Sequence, residues 1–514
     1  MKNNLWEKYS GDNRKQVEEF CKGYKEFLSE CKTERECVHY TVREAEKAGF
    51  KSLTELMKNN KKLKAGDKVY AVNMDKSVVL FTVGKQPIEK GINIIGAHID
   101  SPRLDLKAKP FYESQGFCLA DTHYYGGIKK YQWTSQPLAV HGVVVKKDGT
   151  KIDVVFGEED CVVGISDLLP HLDKNDSKDI KGEDLNLIVG NIADDKAEKN
   201  KFKSFILNIM KNNGVEEDDF FSAELEVVPS GRAKDFGLDR SMIIGYGHDD
   251  RVCAYTNLRA MLEVKKPEFS TMSLLVDKEE IGSVGATGMH SKFFENCLAE
   301  IMNLCGQYSE LALRRALNNS YMISSDVTAA VDPNHTSPFN VETDAHFAKG
   351  ISFNKFTGSR GKSGANDANP EFIASLRKCL DDAKVSYQAT EMGKVDQGGG
   401  GTIAYIMAKY GMNVIDAGVP VLNMHAPWEI VSKVDVYETY RCYKAFYGIK
   451  IEQNIYREIW KRHGNMLFSL WKIILTHYRQ TFYLRSKIFD IKTLQLNYKI
   501  LYYLWNWKGE KNEH

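Results

Sequence analysis

Four short apolar runs constrain this chain more than any other feature. They are Gly91-Ile92-Asn93-Ile94-Ile95-Gly96, Met272-Ser273-Leu274-Leu275-Val276, Tyr321-Met322-Ile323-Ser324 and Asn413-Val414-Ile415. Each is too short for a core helix and lacks the strict polar alternation of a half-exposed strand, so each reads as a strand buried on both faces. Helical periodicity follows at 251–264, 371–383 and 402–409. Strands alternating with helices in this way predict an α/β fold with a mostly parallel central sheet flanked by helices. Two more helices are expected near the amino terminus, at 6–25 and 51–61.

The alternation is interrupted. Residues 117–157 are rich in Tyr, Val and Thr and include Val143-Val144-Val145-Lys146-Lys147-Asp148-Gly149-Thr150, a hairpin signal centred on Asp148-Gly149. Residues 173–220 are dense in Lys, Asp and Glu, as exposed loops and helices of the same unit would be. The expected organisation is one α/β domain in two pieces, 1–107 and 239–450, split by a β-rich insertion at 108–238. From 451 to 514 the character changes again. This stretch has no Ala, Val, Pro or Cys, carries 13 aromatics including four of the seven Trp, and has 11 basic residues against 5 acidic. It reads as an atypical aromatic, basic tail outside the fold.

Charge narrows the function. The 514 residues hold 70 Lys+Arg against 69 Asp+Glu, a balance that argues against a nucleic-acid partner. No apolar run reaches the ~18–20 residues of a membrane span. The start, Met1-Lys2-Asn3-Asn4-Leu5-Trp6-Glu7, lacks the apolar segment of a signal peptide. Ten cysteines without a C-x-x-C pair read as reduced thiols, which points to a cytoplasmic protein.

Five segments place metal-ligand side chains just past a predicted strand or apolar run. They are Gly96-Ala97-His98-Ile99-Asp100-Ser101-Pro102, Gly247-His248-Asp249-Asp250-Arg251, Val276-Asp277-Lys278-Glu279-Glu280-Ile281-Gly282, Ser324-Ser325-Asp326 and Asn423-Met424-His425-Ala426. Ligands of open α/β sheets gather beyond the carboxyl ends of the strands, so these segments are expected to converge. Two imidazoles and three carboxylates suit a pair of divalent ions, zinc first among them. Such a pair needs one carboxylate that bridges the ions and a separate base. Neighbours such as Glu279 and Glu280, pointing in different directions, fit that division. Each piece alone is weak, since a lone Glu-Glu is usually a solvated helix face; the joint order carries the argument.

Together with Pro170-His171-Leu172 and Gly398-Gly399-Gly400-Gly401-Thr402-Ile403, these segments resemble the M18 family of metalloaminopeptidases, the aspartyl-aminopeptidase relatives, over about residues 1–448. The resemblance implies that 1–107 and 239–450 form the catalytic zinc-peptidase domain and 108–238 the dimerisation domain. It implies His98 and Asp326 on one ion, Glu280 and His425 on the other, and Asp249 between them. Asp100 would orient His98, and Glu279 would serve as general base and then acid. His171 and Lys355 would approach the substrate, His171 across a subunit boundary. Where the acid-specific eukaryotic branch has a histidine three positions after the metal-binding Asp, this chain has Ala329. The resemblance then implies a broader side-chain preference, neutral or basic.

The expected activity is removal of N-terminal residues from peptides with a free N-terminus by a co-catalytic two-zinc mechanism. The expected assembly is a homo-oligomer, a tetrahedral dodecamer, with neither nucleic acid nor membrane as partner. Two alternatives stand beside it: an M42-like co-catalytic hydrolase or deacylase, and a non-catalytic peptide-binding assembly.

Overall fold

The strand Ile92–His98 is buried along its whole length, as an apolar run must be where helices cover both faces of a sheet. It pairs in parallel with Ser270–Val276 on one side and Tyr321–Ser324 on the other, and Tyr321–Ser324 pairs in parallel with Asn413–Gly418. These four strands are the centre of a nine-stranded sheet. Its order is Lys51–Ser52, Lys68–Asn73, Ser77–Thr82, Ser270–Val276, Ile92–His98, Tyr321–Ser324, Asn413–Gly418, Ile351–Asn354 and Tyr387–Thr390. Antiparallel pairs enter away from the centre: Ser77–Thr82 runs against both of its neighbours, and Ile351–Asn354 against Asn413–Gly418. The mixed α/β architecture and its largely parallel centre are thus as expected. The computed structural model describes residues 4–158, 161–173, 180–359, 363–396 and 398–450. The expected tail, 451–514, lies outside the described residues.

Helix His248–Leu262 is buried on almost every residue and packs between the central sheet and helix Lys433–Tyr447. The amino-terminal helix runs Gly11–Glu30, later than the expected 6–25, and buries Val17, Cys21, Tyr24 and Leu28 at helical spacing. The helix expected at 51–61 is shorter, Leu53–Lys58, because Lys51 and Ser52 pair as an edge strand with Val69 and Tyr70. The helix expected at 402–409 spans only Ala404–Ala408, after a glycine run that disfavours helix.

A six-stranded antiparallel sheet stands apart from the central one. It runs Lys151–Phe156, Leu138–Val145, Ala223–Pro229, Arg103–Ser114, Phe117–Tyr125 and Leu187–Gly190. The hairpin at Asp148-Gly149 joins its first two strands, with Gly149 at φ +87. Helix Lys201–Asn212 covers one face, and an apolar core around Trp133, Leu138, Leu187 and Val227 fills the space. The position 107/108 falls inside the strand Arg103–Ser114, and Lys234–Phe236 joins a different sheet. That third sheet, Lys234–Phe236, Met242–Gly245, Glu429–Ser432, Pro420–Leu422 and Thr328–Ala329, supports the loop that holds His425. No helix among the described residues is long and apolar enough to cross a membrane.

Candidate metal centre

His98 ends its strand level with Val276, and Ser324 lies level with Gly96. Three adjacent parallel strands therefore finish at one edge, and Glu279, Glu280 and Asp326 follow shortly after. This is where open α/β sheets place their ligands. Asp249 sits in the irregular first turn of helix His248–Leu262. The preceding Gly247 cannot be replaced easily: its φ of +77 is one L side chains rarely adopt, and a Cβ there would also press on the Arg251 guanidinium. His425 comes from a loop closed by the Ala426 N–H donating to the Asn423 carbonyl at 2.8 Å.

The side chains form two triads that share one member. His98, Asp249 and Asp326 make the first; Asp249, Glu280 and His425 make the second, and within each the candidate ligand atoms lie within 4.8 Å of one another. His98 Nε2 is 3.1 Å from Asp249 Oδ1 and 3.8 Å from Asp326 Oδ1. His425 Nε2 is 3.4 Å from Asp249 Oδ2 and 3.5 Å from Glu280 Oε2. Asp249 thus turns one oxygen toward each triad.

Supporting bonds hold the set. His98 Nδ1 donates to the Asp100 backbone carbonyl at 3.0 Å and lies 3.2 Å from the Asp100 carboxylate, which accepts from the amides of Glu279 and Glu280 at 3.2 and 3.1 Å and from the Tyr125 hydroxyl at 2.8 Å. Glu429 accepts from the amide of Asp249 at 3.0 Å and from that of His425 at 2.8 Å. Glu279 belongs to neither triad.

Charge at the site is one-sided. Burial pushes the Glu279 carboxyl up to about 8, and the negative charge of Asp326 adds to it. Burial and Asp249 raise Glu280 well above the usual range. Burial works against the charged form of His425, but Asp249 and Glu280 outweigh it and carry the imidazole up to about 10. Burial also raises Asp249, yet hydrogen bonds from His425 and His98 overcome it and hold that carboxyl well below its usual range. Glu280 Oε1 is buried without a hydrogen-bond partner. A crowd of buried carboxylates with an unpartnered oxygen and only two imidazoles as counter-charge is the donor set a pair of divalent cations would complete.

A family model described as aminopeptidase I zinc metalloprotease (M18) matches residues 27–447. The chain belongs to the M18 family. A probable M18 family aminopeptidase 1 of Clostridium acetobutylicum is 56% identical over 452 residues, covering 86% of this chain and 97% of the relative. The corresponding Thermotoga maritima protein is 45% identical over 443 residues, 84% and 96% of the two chains. A solved T. maritima M18 aminopeptidase superposes with a TM-score of 0.83 at 43% identity, over 88% of this chain and 100% of that one. A Saccharomyces cerevisiae structure described as the mApe1 dodecamer shares the fold at 19% identity, with a TM-score of 0.68 over 88% of this chain and 100% of that one. This M18 chain is therefore a peptide hydrolase of the zinc aminopeptidase class, and the M42-like alternative falls away.

Two expected residues of the M18 chain stand apart. His171 is exposed at a turn beside Leu172, which is 63% exposed. Lys355 is exposed, 3.6 Å from Asp367 and over the ring of Phe356. Among the described contacts, neither residue bonds to a triad member. Sequence reading passed over Glu429 and Tyr125. The one available signal for Glu429 was an acidic residue inside the apolar stretch Trp428-Glu429-Ile430-Val431.

Proposed function

We propose that this chain removes N-terminal residues from peptides by a co-catalytic mechanism with two divalent ions, zinc first among them. The observation that carries the reading is Asp249, whose two carboxylate oxygens face two separate triads. His98 and Asp326 would hold one ion, Glu280 and His425 the other, with Asp249 common to both. Bound there, the ions would lower the pKa of a water and polarise the scissile carbonyl. Glu279, half-buried and outside both triads, would take the proton of the attacking water and return it to the departing amine. Asp100, whose backbone carbonyl accepts from His98 Nδ1 and whose carboxylate lies beside it, would keep His98 in the tautomer whose Nε2 faces the metal.

A cavity of about 550 Å³ beside His425 is lined by Ala329, Val421, Leu422 and Met424 together with Lys129, Asp332 and His335. Its apolar part, with Ala329 in place of a histidine, supports a neutral N-terminal residue. The inserted sheet would form the dimer contact of a homo-oligomer, a tetrahedral dodecamer; the yeast structure described as a dodecamer supports the subunit count. The exposed apolar side chains of Leu168, Leu169 and Leu172 beside His171 support that reading, with His171 and Lys355 reaching substrate in the assembled form. Ten free cysteines favour the cytoplasm.

The test is hydrolysis of a panel of aminoacyl reporter substrates before and after chelation, with elemental analysis. About two ions per chain, loss of activity on chelation and recovery with zinc are expected. Full activity in metal-stripped protein would overturn the mechanism, and a clear preference for Asp and Glu would overturn the specificity.

A further inference from the structure

The Asp100 carboxylate has two oxygens and three donors, with the His98 ring 3.2 Å away and bonded to the Asp100 backbone carbonyl at 3.0 Å. Two donors, the backbone amides of Glu279 and Glu280, come from the central sheet's carboxyl edge. The third, the Tyr125 hydroxyl, comes from the six-stranded sheet, at the end of the strand Phe117–Tyr125. It donates to Oδ2, the same oxygen that receives the Glu280 amide. The ring is held from its other side. Tyr125 is register partner to Arg103, whose guanidinium carbon lies 3.9 Å from the ring centroid. Arg103 is anchored in turn by Glu34 at 2.8 Å, Asp105 at 2.8 Å and Glu226 at 3.2 Å. The hydroxyl therefore has little freedom to leave Asp100.

A carboxylate that accepts three hydrogen bonds has its rotation fixed. Here that rotation sets the backbone of two consecutive residues, one of them the candidate base and the other a candidate ligand, and the charge that faces the His98 ring at 3.2 Å. Partners of this kind, one bond removed from a metal, commonly change metal affinity or activity by about 10-fold to 100-fold when lost.

We propose that Tyr125 is a positioning residue of the active centre, through which the inserted sheet fixes Asp100 and so the geometry of His98, Glu279 and Glu280. The inference rests on the functional reading above. The test is Tyr125→Phe, which keeps the ring under Arg103 and removes only the hydroxyl. Two quantities are measured: zinc affinity by competition with a chromophoric chelator, and kcat and KM on a neutral aminoacyl reporter. Zinc binding about 10-fold weaker and kcat about 10-fold lower are expected, with KM within twofold. In an Asp100→Ala background the same change is expected to add little, because the acceptor has already gone.

Zinc affinity and kcat within twofold of the parent overturn the proposal. So does a lower melting temperature with unchanged zinc affinity, the signature of a merely structural contact, and so does full additivity with Asp100→Ala. Glu279→Gln separates the two levels. If that variant is inactive while Tyr125→Phe is unaffected, only the Tyr125 inference fails; if Glu279→Gln keeps the parent rate, the reading of the site itself fails.

Discussion

Replacing Glu279 by Gln isolates proton transfer from metal holding. Gln has nearly the same shape but cannot take a proton from water. The substitution leaves the backbone amide of residue 279 bonded to Asp100 at 3.2 Å and touches no member of either triad. General acid–base catalysis contributes about 10²- to 10⁴-fold. At about 1.4 kcal/mol per tenfold, that is roughly 3–5 kcal/mol of barrier. The expected outcome is a kcat 10²- to 10⁴-fold lower on a neutral aminoacyl reporter, with the metal content of the parent. Thermal stability is not expected to fall, since the lost carboxyl is one that burial and the Asp326 charge push up to about 8. Steady-state kinetics, elemental analysis and a melting curve on one preparation read all three. A kcat within threefold of the parent, with the metal retained, would refute the assignment of the base. Loss of metal would instead make Glu279 a ligand.

The other expectations concern the ions, the core and pH. Asp249→Ala is expected to leave the protein nearly metal-free, whereas His425→Ala leaves about one ion, because only Asp249 faces both triads; metal analysis that finds two ions in Asp249→Ala contradicts the bridge. Trp133 is fully buried in the core of the six-stranded sheet, so Trp133→Ala is expected to cost about 3–5 kcal/mol in urea unfolding, and a loss under about 1 kcal/mol would mean that this core is loosely packed. His141 bridges Glu36 at 2.8 Å and Glu158 at 3.0 Å. Burial disfavours its charged form, but the two carboxylates win and raise its pKa. A raised imidazole contributes stability that is complete below its unfolded pKa of about 6.5 and is lost as pH rises through the folded value. His141→Gln is expected to remove that alkaline decline from a plot of unfolding free energy against pH, and an unchanged slope would refute the role.

Much of the catalytic edge was readable because the ligands sit just beyond strands whose apolar runs are unmistakable. His98 ends one such run, and Glu280 and Asp326 follow two others. Their convergence needed only the rule that parallel strands finish together. The supporting groups were not readable. Glu429 and Tyr125 act on residues far away in sequence, Glu429 on the amide of Asp249 and Tyr125 on Asp100. No local spacing announces a bond between a side chain and a distant backbone. The third sheet was missed for a different reason. Strands as short as Thr328–Ala329 and Pro420–Leu422 carry no periodicity, and their neighbours alone make them strands. The edge pair Lys51–Ser52 shows the same effect, turning the start of a helical pattern into a strand.

The five candidate ligands are drawn from segments spread from the first strand of the parallel core to a loop that follows its last. During synthesis on the ribosome, His98 emerges well before His425. A growing chain therefore has no completed cation cage and no competent cutting centre until almost all of the domain has emerged. The order of the residues along the chain thus sets assembly of the centre at the end of the domain's synthesis.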